Sequence, residues 1–155
     1  MAELVGLIAS IVQLAGAAAT VSLTLYECGQ TVSQAKTELN DLANEVSDLS
    51  TVLEYLNDVL EGCRQSVIAR TVSTIETLVS RCKATLNEIL KAAKLVEGKN
   101  ARWKWLFRKP RTLQLKLSLE GFKSNLGLVI QTLALAKTLQ KESERFVKPF
   151  DSEVF

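Results

Sequence analysis

The chain has 155 residues, 47% of them hydrophobic and 23% charged, a composition that is typical of a folded chain and not of a disordered one. Its formal net charge of +2 does not by itself indicate a nucleic-acid partner. It contains no histidine, which removes the usual general base near neutral pH and every imidazole metal ligand. Its three cysteines are too widely spaced for a metal motif or a disulfide framework, so we expect a globular domain of a reducing intracellular setting, without enzymatic activity, metal or other cofactor.

The first predicted helix, residues 1–28, contains a charge-free stretch from Leu4 to Tyr26. A helix of that length spans roughly 34 Å, enough to cross a hydrocarbon core of about 30 Å. The only early side-chain charge, on Glu3, is acidic, which is atypical of a secretory signal, so we expect the segment to be retained. Small and mildly polar residues step by three and four along one face, and they are Gly6, Ser10, Gln13, Ala17, Thr20 and Thr24. Two interpretations stay open: this stripe is the solvent side of a buried bundle helix, or it lines helix contacts and an aqueous path in a membrane.

The second and third predicted helices, residues 31–61 and 66–97, show the three-and-four spacing of one apolar helix face. The predicted core positions of the second helix are Val32, Ala35, Leu39, Leu42, Val46, Leu49, Leu53, Leu56 and Leu60. Those of the third are Ile68, Val72, Ile75, Val79, Cys82, Leu86, Ile89, Ala93 and Val96. Cys82 is therefore predicted to be a buried, unreactive thiol.

The fourth predicted helix covers residues 112–146 and is followed by a tail, residues 147–155, which lacks the period. Its predicted core positions are Leu115, Leu119, Phe122, Leu126, Val129, Leu133 and Ala136. Because the predicted connections are short, sequential helices are expected to be antiparallel neighbours. The sequence thus predicts an all-α fold, an antiparallel four-helix bundle with a possible extra short helix at the C-terminal end.

A basic and aromatic loop is predicted between the third and fourth helices, at residues 98–111. Its candidate functional residues are Lys99, Arg102, Trp103, Lys104, Trp105, Arg108, Lys109 and Arg111. Indole rings favour the headgroup layer of a membrane, and clustered Lys and Arg are attracted to anionic lipid. The same residues could instead cap the bundle and dock on the acidic outer face of residues 38–61. No nucleic-acid partner is expected, because no RNA-binding signature accompanies the cluster.

Three segments carry a resemblance to a known family: the opening residues 1–16, the turn at residues 42–47, and residues 105–109 leading into the apolar pattern of residues 119–128. With these segments the sequence resembles the N-terminal domains of fungal STAND-type (NLR-like) immune receptors, the HeLo-like group. The mixed lineage kinase domain-like four-helix bundle is similar in plan. The resemblance extends over nearly the whole chain.

The resemblance implies a pore-forming effector of programmed cell death, as in heterokaryon incompatibility and fungal innate immunity. Such a domain is cytoplasmic at rest, is clustered into a homo-oligomer by an NLR-like or amyloid-signalling partner, and inserts its first helix into the anionic lipids of the plasma membrane. The membrane-inserting residues would be Leu4, Val5, Leu7, Ile8, Ile11, Val12, Leu14, Val21, Leu23 and Leu25. Glu3 would be a charge in the pore lumen. The alternative is a soluble homotypic interaction module of an NLR-like receptor without membrane activity.

Overall fold

Four helices make up the computed structural model, which describes the backbone of residues 2–32, 35–64, 67–95 and 101–153 and the side chains of residues 3–32, 35–64, 67–94 and 110–146. They are α1 (Ala2–Thr31), α2 (Lys36–Gly62), α3 (Ala69–Leu95) and α4 (Ala101–Glu153). The described residues contain no β-strand. The prediction of an all-α helical bundle is confirmed.

Helices α1 and α2 form an antiparallel pair that two buried serines connect. The Ser22 hydroxyl of α1 donates to the Ala43 carbonyl of α2 over 2.9 Å, and the Ser50 hydroxyl of α2 donates to the Ala15 carbonyl of α1 over 2.8 Å. Residue numbers therefore rise along α1 as they fall along α2. Alanine and serine at this interface are small enough to let the two backbones approach closely.

The remaining contacts place α1 and α4 at opposite corners of the bundle. Helix α1 packs on α2 and α3, and α4 packs on the same two helices. In the described part of the chain, α1 does not contact α4 and α2 does not contact α3. The short α2–α3 connection thus crosses the bundle diagonally, so the prediction that all sequential helices are neighbours is wrong at this one step.

The predicted core positions are buried with few exceptions. Side chains of α2 from Leu39 to Leu60 that recur every three or four residues are at most 3% exposed, and Cys82 of α3 is fully buried. Phe122 and Val129 of α4 are half-buried against the core, and Val96 lies outside the described residues. Two other positions are corrections. Ile68 is 64% exposed because it precedes the first turn of α3, and Ala136 is exposed because α4 has begun to leave the core there.

The largest correction concerns the predicted loop at residues 98–111, because residues 101–111 are helical and belong to α4. Residues 101–109 contain good helix formers and no glycine or proline, so the helix is locally favoured. Pro110 lacks an N–H and removes one hydrogen bond of the helix, to the carbonyl of residue 106, without ending it. At the other end, helical backbone continues to Glu153, so most of the predicted tail is helical too.

Helix α4 is about twice as long as its neighbours, with 53 residues against 27 in α2 and in α3. At 1.5 Å per residue it spans about 80 Å, compared with about 40 Å for α2 or α3. Among the described side chains of α4, residues 110–146, the buried and half-buried ones lie between Thr112 and Lys137, and residues 138–146 are all exposed. The C-terminal part of α4 therefore runs beyond the apolar core.

Candidate functional site

The predicted membrane-inserting residues of α1 lie on two different faces of the helix. Seven of them are 0–7% exposed and pack in the bundle core: Leu4, Leu7, Ile8, Ile11, Leu14, Val21 and Leu25. The other three are on the outside, where Val5 is 53%, Val12 54% and Leu23 65% exposed. The large apolar side chains of α1 thus hold the helix in the bundle, while a second, smaller apolar set faces away from it.

The outer face of α1 carries no charged side chain from Val5 to Thr24. Its members are small, apolar or weakly polar, namely Val5, Gly6, Ala9, Ser10, Val12, Gln13, Gly16, Ala17, Ala19, Thr20, Leu23 and the partly exposed Thr24. The stripe read from the sequence therefore lies at the surface. Bundle helices normally turn charged residues outward, so this face is unusual for a protein surface in water.

By length and composition, α1 is long and apolar enough to cross a membrane, and it is the one such helix in the part of the chain that the structure describes. The core helix of a soluble protein and a signal sequence near an N-terminus pass the same test, so length and composition alone do not identify a membrane helix. In the most apolar window of α1, 44% of the residues are buried in the bundle. The helix therefore combines a core-facing side with an equally long uncharged surface.

Two threonines of the outer face donate their hydroxyl hydrogen bonds to backbone carbonyls of α1 itself. Thr20 Oγ1 donates to the Gly16 carbonyl and Thr24 Oγ1 to the Thr20 carbonyl, each over 3.1 Å. A hydroxyl bonded back to its own helix needs no water or partner helix to donate to. These residues are consequently less costly to place in an apolar environment than their formal polarity indicates.

A groove of about 460 Å³ runs between the outer face of α1 and helix α3. Its lining residues are Ser10, Gln13, Leu14, Ala17, Thr20, Val21, Val79, Ser80, Lys83, Leu86, Asn87 and Leu90. Lys83 is the one charged residue of that lining. The small stripe of α1 thus borders α3 with hydroxyl, amide and methyl groups.

Glu3 is exposed in the first turn of α1. A carboxylate at this position interacts favourably with the positive end of the helix dipole. The residue therefore has a structural role in addition to the predicted role in a pore lumen.

The predicted basic and aromatic residues from Arg102 to Arg111 belong to the N-terminal turns of α4, and of their side chains only that of Arg111 is described. Arg111 pairs with Glu88 of α3 and also donates to Gln114 over 3.1 Å. The partner of Arg111 is therefore α3, and not the acidic face of α2 that the docking alternative favours. The remaining predicted residues of this cluster lie outside the described side chains: Lys99, Arg102, Trp103, Lys104, Trp105, Arg108 and Lys109.

A second interhelical charge pair, besides that of Arg111 with Glu88, was also not predicted. Lys123 Nζ of α4 lies 2.5 Å from Glu45 Oε2 and 3.8 Å from Asp48 Oδ2 of α2. The Lys123 and Glu45 side chains are only 21% and 19% exposed. The signal in the sequence was the position of Lys123 beside the core residue Phe122, which places it at the edge of the α2–α4 interface.

The three cysteines are buried, and none of them forms a disulfide bond. Burial raises the pKa of Cys82 to about 12, so its thiol stays protonated at neutral pH. Among the described residues, no group of three Cys, Asp or Glu side chains is placed to hold a metal ion.

A model of the family described as "Pigment biosynthesis cluster protein PigL N-terminal" matches residues 2–148. The chain belongs to this family. The match includes α1, α2, α3 and α4 as far as residue 148. No curated protein and no solved structure matches the chain significantly.

Proposed function

We propose that this chain is a membrane-targeting domain of the HeLo-like cell-death kind, which oligomerises and inserts α1 into the plasma membrane. The observation that carries the proposal is the outer face of α1, which is uncharged between Val5 and Thr24 while the opposite face is apolar enough to form a core. Such a helix can bury its large side chains in protein or in lipid. Its small face then contacts neighbouring copies or lines a path for water.

At rest the helix stays in the bundle for an energetic reason. Moving α1 into water would expose seven large buried side chains, at about 1.5–3 kcal/mol each and hence roughly 10–20 kcal/mol together. Insertion into lipid keeps these side chains in an apolar medium, so most of that cost does not arise. What remains is the exposure of the faces of α2 and α3 that α1 covered.

We propose that clustering of several copies of the chain triggers the release of α1 from the bundle. A homo-oligomer raises the local concentration of α1 at the membrane, so that several weakly inserting helices act together. Anionic lipids would meet the basic residues near the start of α4. We propose that an NLR-like or amyloid-signalling partner brings the copies together.

The test is dye leakage from anionic liposomes for the wild type, Val12→Asp and the control Ile68→Asp. Both side chains are exposed, so neither change disturbs the core. Val12 lies with Val5 and Leu23 about 110° around α1 from the small stripe of Gly6, Ser10, Gln13, Ala17, Thr20 and Thr24, so it would face lipid when that stripe lines a path for water. An aspartate that faces lipid in the middle of a membrane helix costs about 3 kcal/mol, roughly a hundredfold per helix. We expect Val12→Asp to lose leakage and Ile68→Asp to retain it. Equal leakage from both variants would contradict insertion of α1.

The alternative function, a soluble homotypic interaction module without membrane activity, is favoured by a different observation: the largest exposed apolar side chains of α4 lie on the side of that helix away from the bundle. Absence of leakage from the wild type at every lipid composition, even after artificial oligomerisation, would favour this alternative over the membrane proposal.

A further inference from the structure

The groove between α1 and α3 has the size of a small-molecule site. Its volume of about 460 Å³ lies within the range of about 300–1,000 Å³ that ligand pockets have. Its lining extends from Ser10 to Val21 on α1 and from Val79 to Leu90 on α3, which is about 16 Å along each helix at 1.5 Å per residue. Volume divided by length gives a cross-section on the order of 30 Å². The groove is therefore long and narrow.

The two helices that form the walls run in the same direction. The Cys28 thiol of α1 lies 3.6 Å from the Ala93 carbonyl oxygen of α3, so the last turns of both helices meet. Residue numbers consequently rise together along the two walls. The first half of the groove is lined by positions 10–14 and 79–83, and the second half by positions 17–21 and 86–90.

The floor of the groove is apolar along its whole length, whereas its rim is not. Four floor side chains are only 3–7% exposed, and they are Leu14, Val21, Val79 and Leu86. The rim of the first half is polar, with Ser10, Gln13, Ser80 and Lys83. The rim of the second half consists of Ala17, Thr20, Asn87 and the half-buried Leu90. Because the Thr20 hydroxyl already donates to Gly16, the second half is the more apolar one.

Lys83 gives the groove a positive charge that nothing in its lining neutralises. The lining contains no acidic residue. Among the described side chains Lys83 forms no ion pair, and the acid on its own face of α3, Glu76, is two helical turns away, or about 10 Å. The Gln13 amide, in the same half of the groove, can donate a further hydrogen bond. An ammonium and an amide at the polar end favour a carboxylate there.

We propose that this groove binds a medium-chain fatty acid, with the carboxylate at Lys83 and the hydrocarbon chain directed toward Leu90. Lys83 and Leu90 are seven residues apart, which is about 10 Å along α3. With carbon–carbon bonds of about 1.5 Å, an extended chain advances roughly 1.3 Å per carbon, so about eight carbons fill this length. The site does not depend on a membrane role for α1, and either proposal can fail while the other holds.

The chain-length dependence is tested by isothermal titration calorimetry of the full chain with hexanoate, octanoate, decanoate and dodecanoate, each kept below its aggregation concentration. Each buried CH₂ strengthens binding about threefold to fourfold, so octanoate should bind about tenfold more tightly than hexanoate. Dodecanoate should stay within about twofold of decanoate, because its last carbons extend beyond the groove. No saturable binding, an undiminished gain up to dodecanoate, or binding to anionic phospholipid liposomes alone would overturn the proposal.

The role of the charge is tested with Lys83→Gln and the matched control Lys91→Gln, an exposed lysine of α3 outside the groove. We expect decanoate to bind Lys83→Gln about tenfold more weakly and Lys91→Gln as it binds the wild type. Decanol, which has the same chain without the charge, should distinguish the wild type from Lys83→Gln by less than about twofold. Equal loss of decanoate affinity in both lysine variants would contradict a carboxylate at Lys83.

The place of the chain is tested by filling the groove from either wall. Ala17→Phe and Ser80→Phe put a ring at the rim, and the control Ala19→Phe adds the same ring to an exposed position of α1 outside the lining. Decanoate should raise the Tm of the wild type and of Ala19→Phe, since a ligand of the folded state stabilises it, and should leave the Tm of both filled variants unchanged. Circular dichroism establishes that each variant is folded. Undiminished decanoate binding in either folded, filled variant would refute this site.

Discussion

Two adjacent residues of α1 test whether that helix is docked in solution. Ile11 is fully buried and Val12 is 54% exposed, although both are branched apolar residues in the same turn. Truncating a buried isoleucine to alanine costs about 2–5 kcal/mol, from lost burial and from the cavity that remains. Truncating Val12 should change the free energy of unfolding by less than about 0.5 kcal/mol, because little contact is lost and alanine is the better helix former.

Urea and thermal unfolding of Ile11→Ala and Val12→Ala, monitored by circular dichroism, measure this difference. A loss of about 3 kcal/mol in a chain of this size lowers Tm by about 10 °C. We therefore expect a shift of that order for Ile11→Ala and almost none for Val12→Ala. Equal, small shifts for both variants would mean that α1 is not packed on α2 and α3 at rest, and the burial described for α1 would then be refuted.

Three further predictions concern the bundle. Because all three cysteines are buried, and burial raises the pKa of Cys82 to about 12, the native protein should not react with a thiol reagent at pH 8, whereas all three cysteines should react after denaturation. Lys123→Ala should cost about 1–2 kcal/mol in urea unfolding, since it leaves Glu45 half-buried and unpaired, and combining it with Glu45→Gln should recover part of the loss. Ser50→Ala should cost about 1 kcal/mol, because the Ala15 carbonyl loses its second hydrogen bond, while Ser50→Val should cost more, by crowding the α1–α2 contact.

The fold could be read from the sequence because the three-and-four spacing in α2 and α3 has one clear solution. Each of these helices has a single apolar face and a charged opposite face, so the core positions, including Cys82, follow from the period alone. The diagonal connection between α2 and α3 could not be read in the same way, because helix periodicity says which face is buried and not which helix buries it.

The buried face of α1 was harder to predict, because this helix lacks the charged outer face that α2 and α3 have. Charged residues mark the outside of a bundle helix, and α1 has none between Glu3 and Glu27. Sequence reasoning therefore grouped the exposed Val5, Val12 and Leu23 with the buried residues. It did identify the small, mildly polar stripe, because those residues differ in character from the leucines and isoleucines opposite.

The sequence did not predict the exposed apolar face of α4, because α4 carries apolar residues on two faces at once. The exposed members are Leu113, Leu117, Leu128, Leu135, Leu139 and Phe146. When leucines occur at both sets of positions, the period that starts at Leu115 masks the one that starts at Leu113. The sequence analysis began the fourth helix after Pro110, because proline usually ends or kinks a helix, whereas α4 continues through Pro110. For the buried face of α4 and for its first residue, the local sequence is compatible with two structures, and tertiary packing selects between them.

The most direct test of the central claim, that α1 leaves the bundle to enter the membrane, is a disulfide lock between α1 and α2. Ala15→Cys and Ser50→Cys are combined where the Ser50 hydroxyl already reaches the Ala15 carbonyl over 2.8 Å, and mass spectrometry confirms the cross-link. Dye leakage from anionic liposomes is then measured before and after reduction. We predict no leakage from the oxidised form and wild-type leakage from the reduced form; undiminished leakage from the locked form would contradict the release of α1.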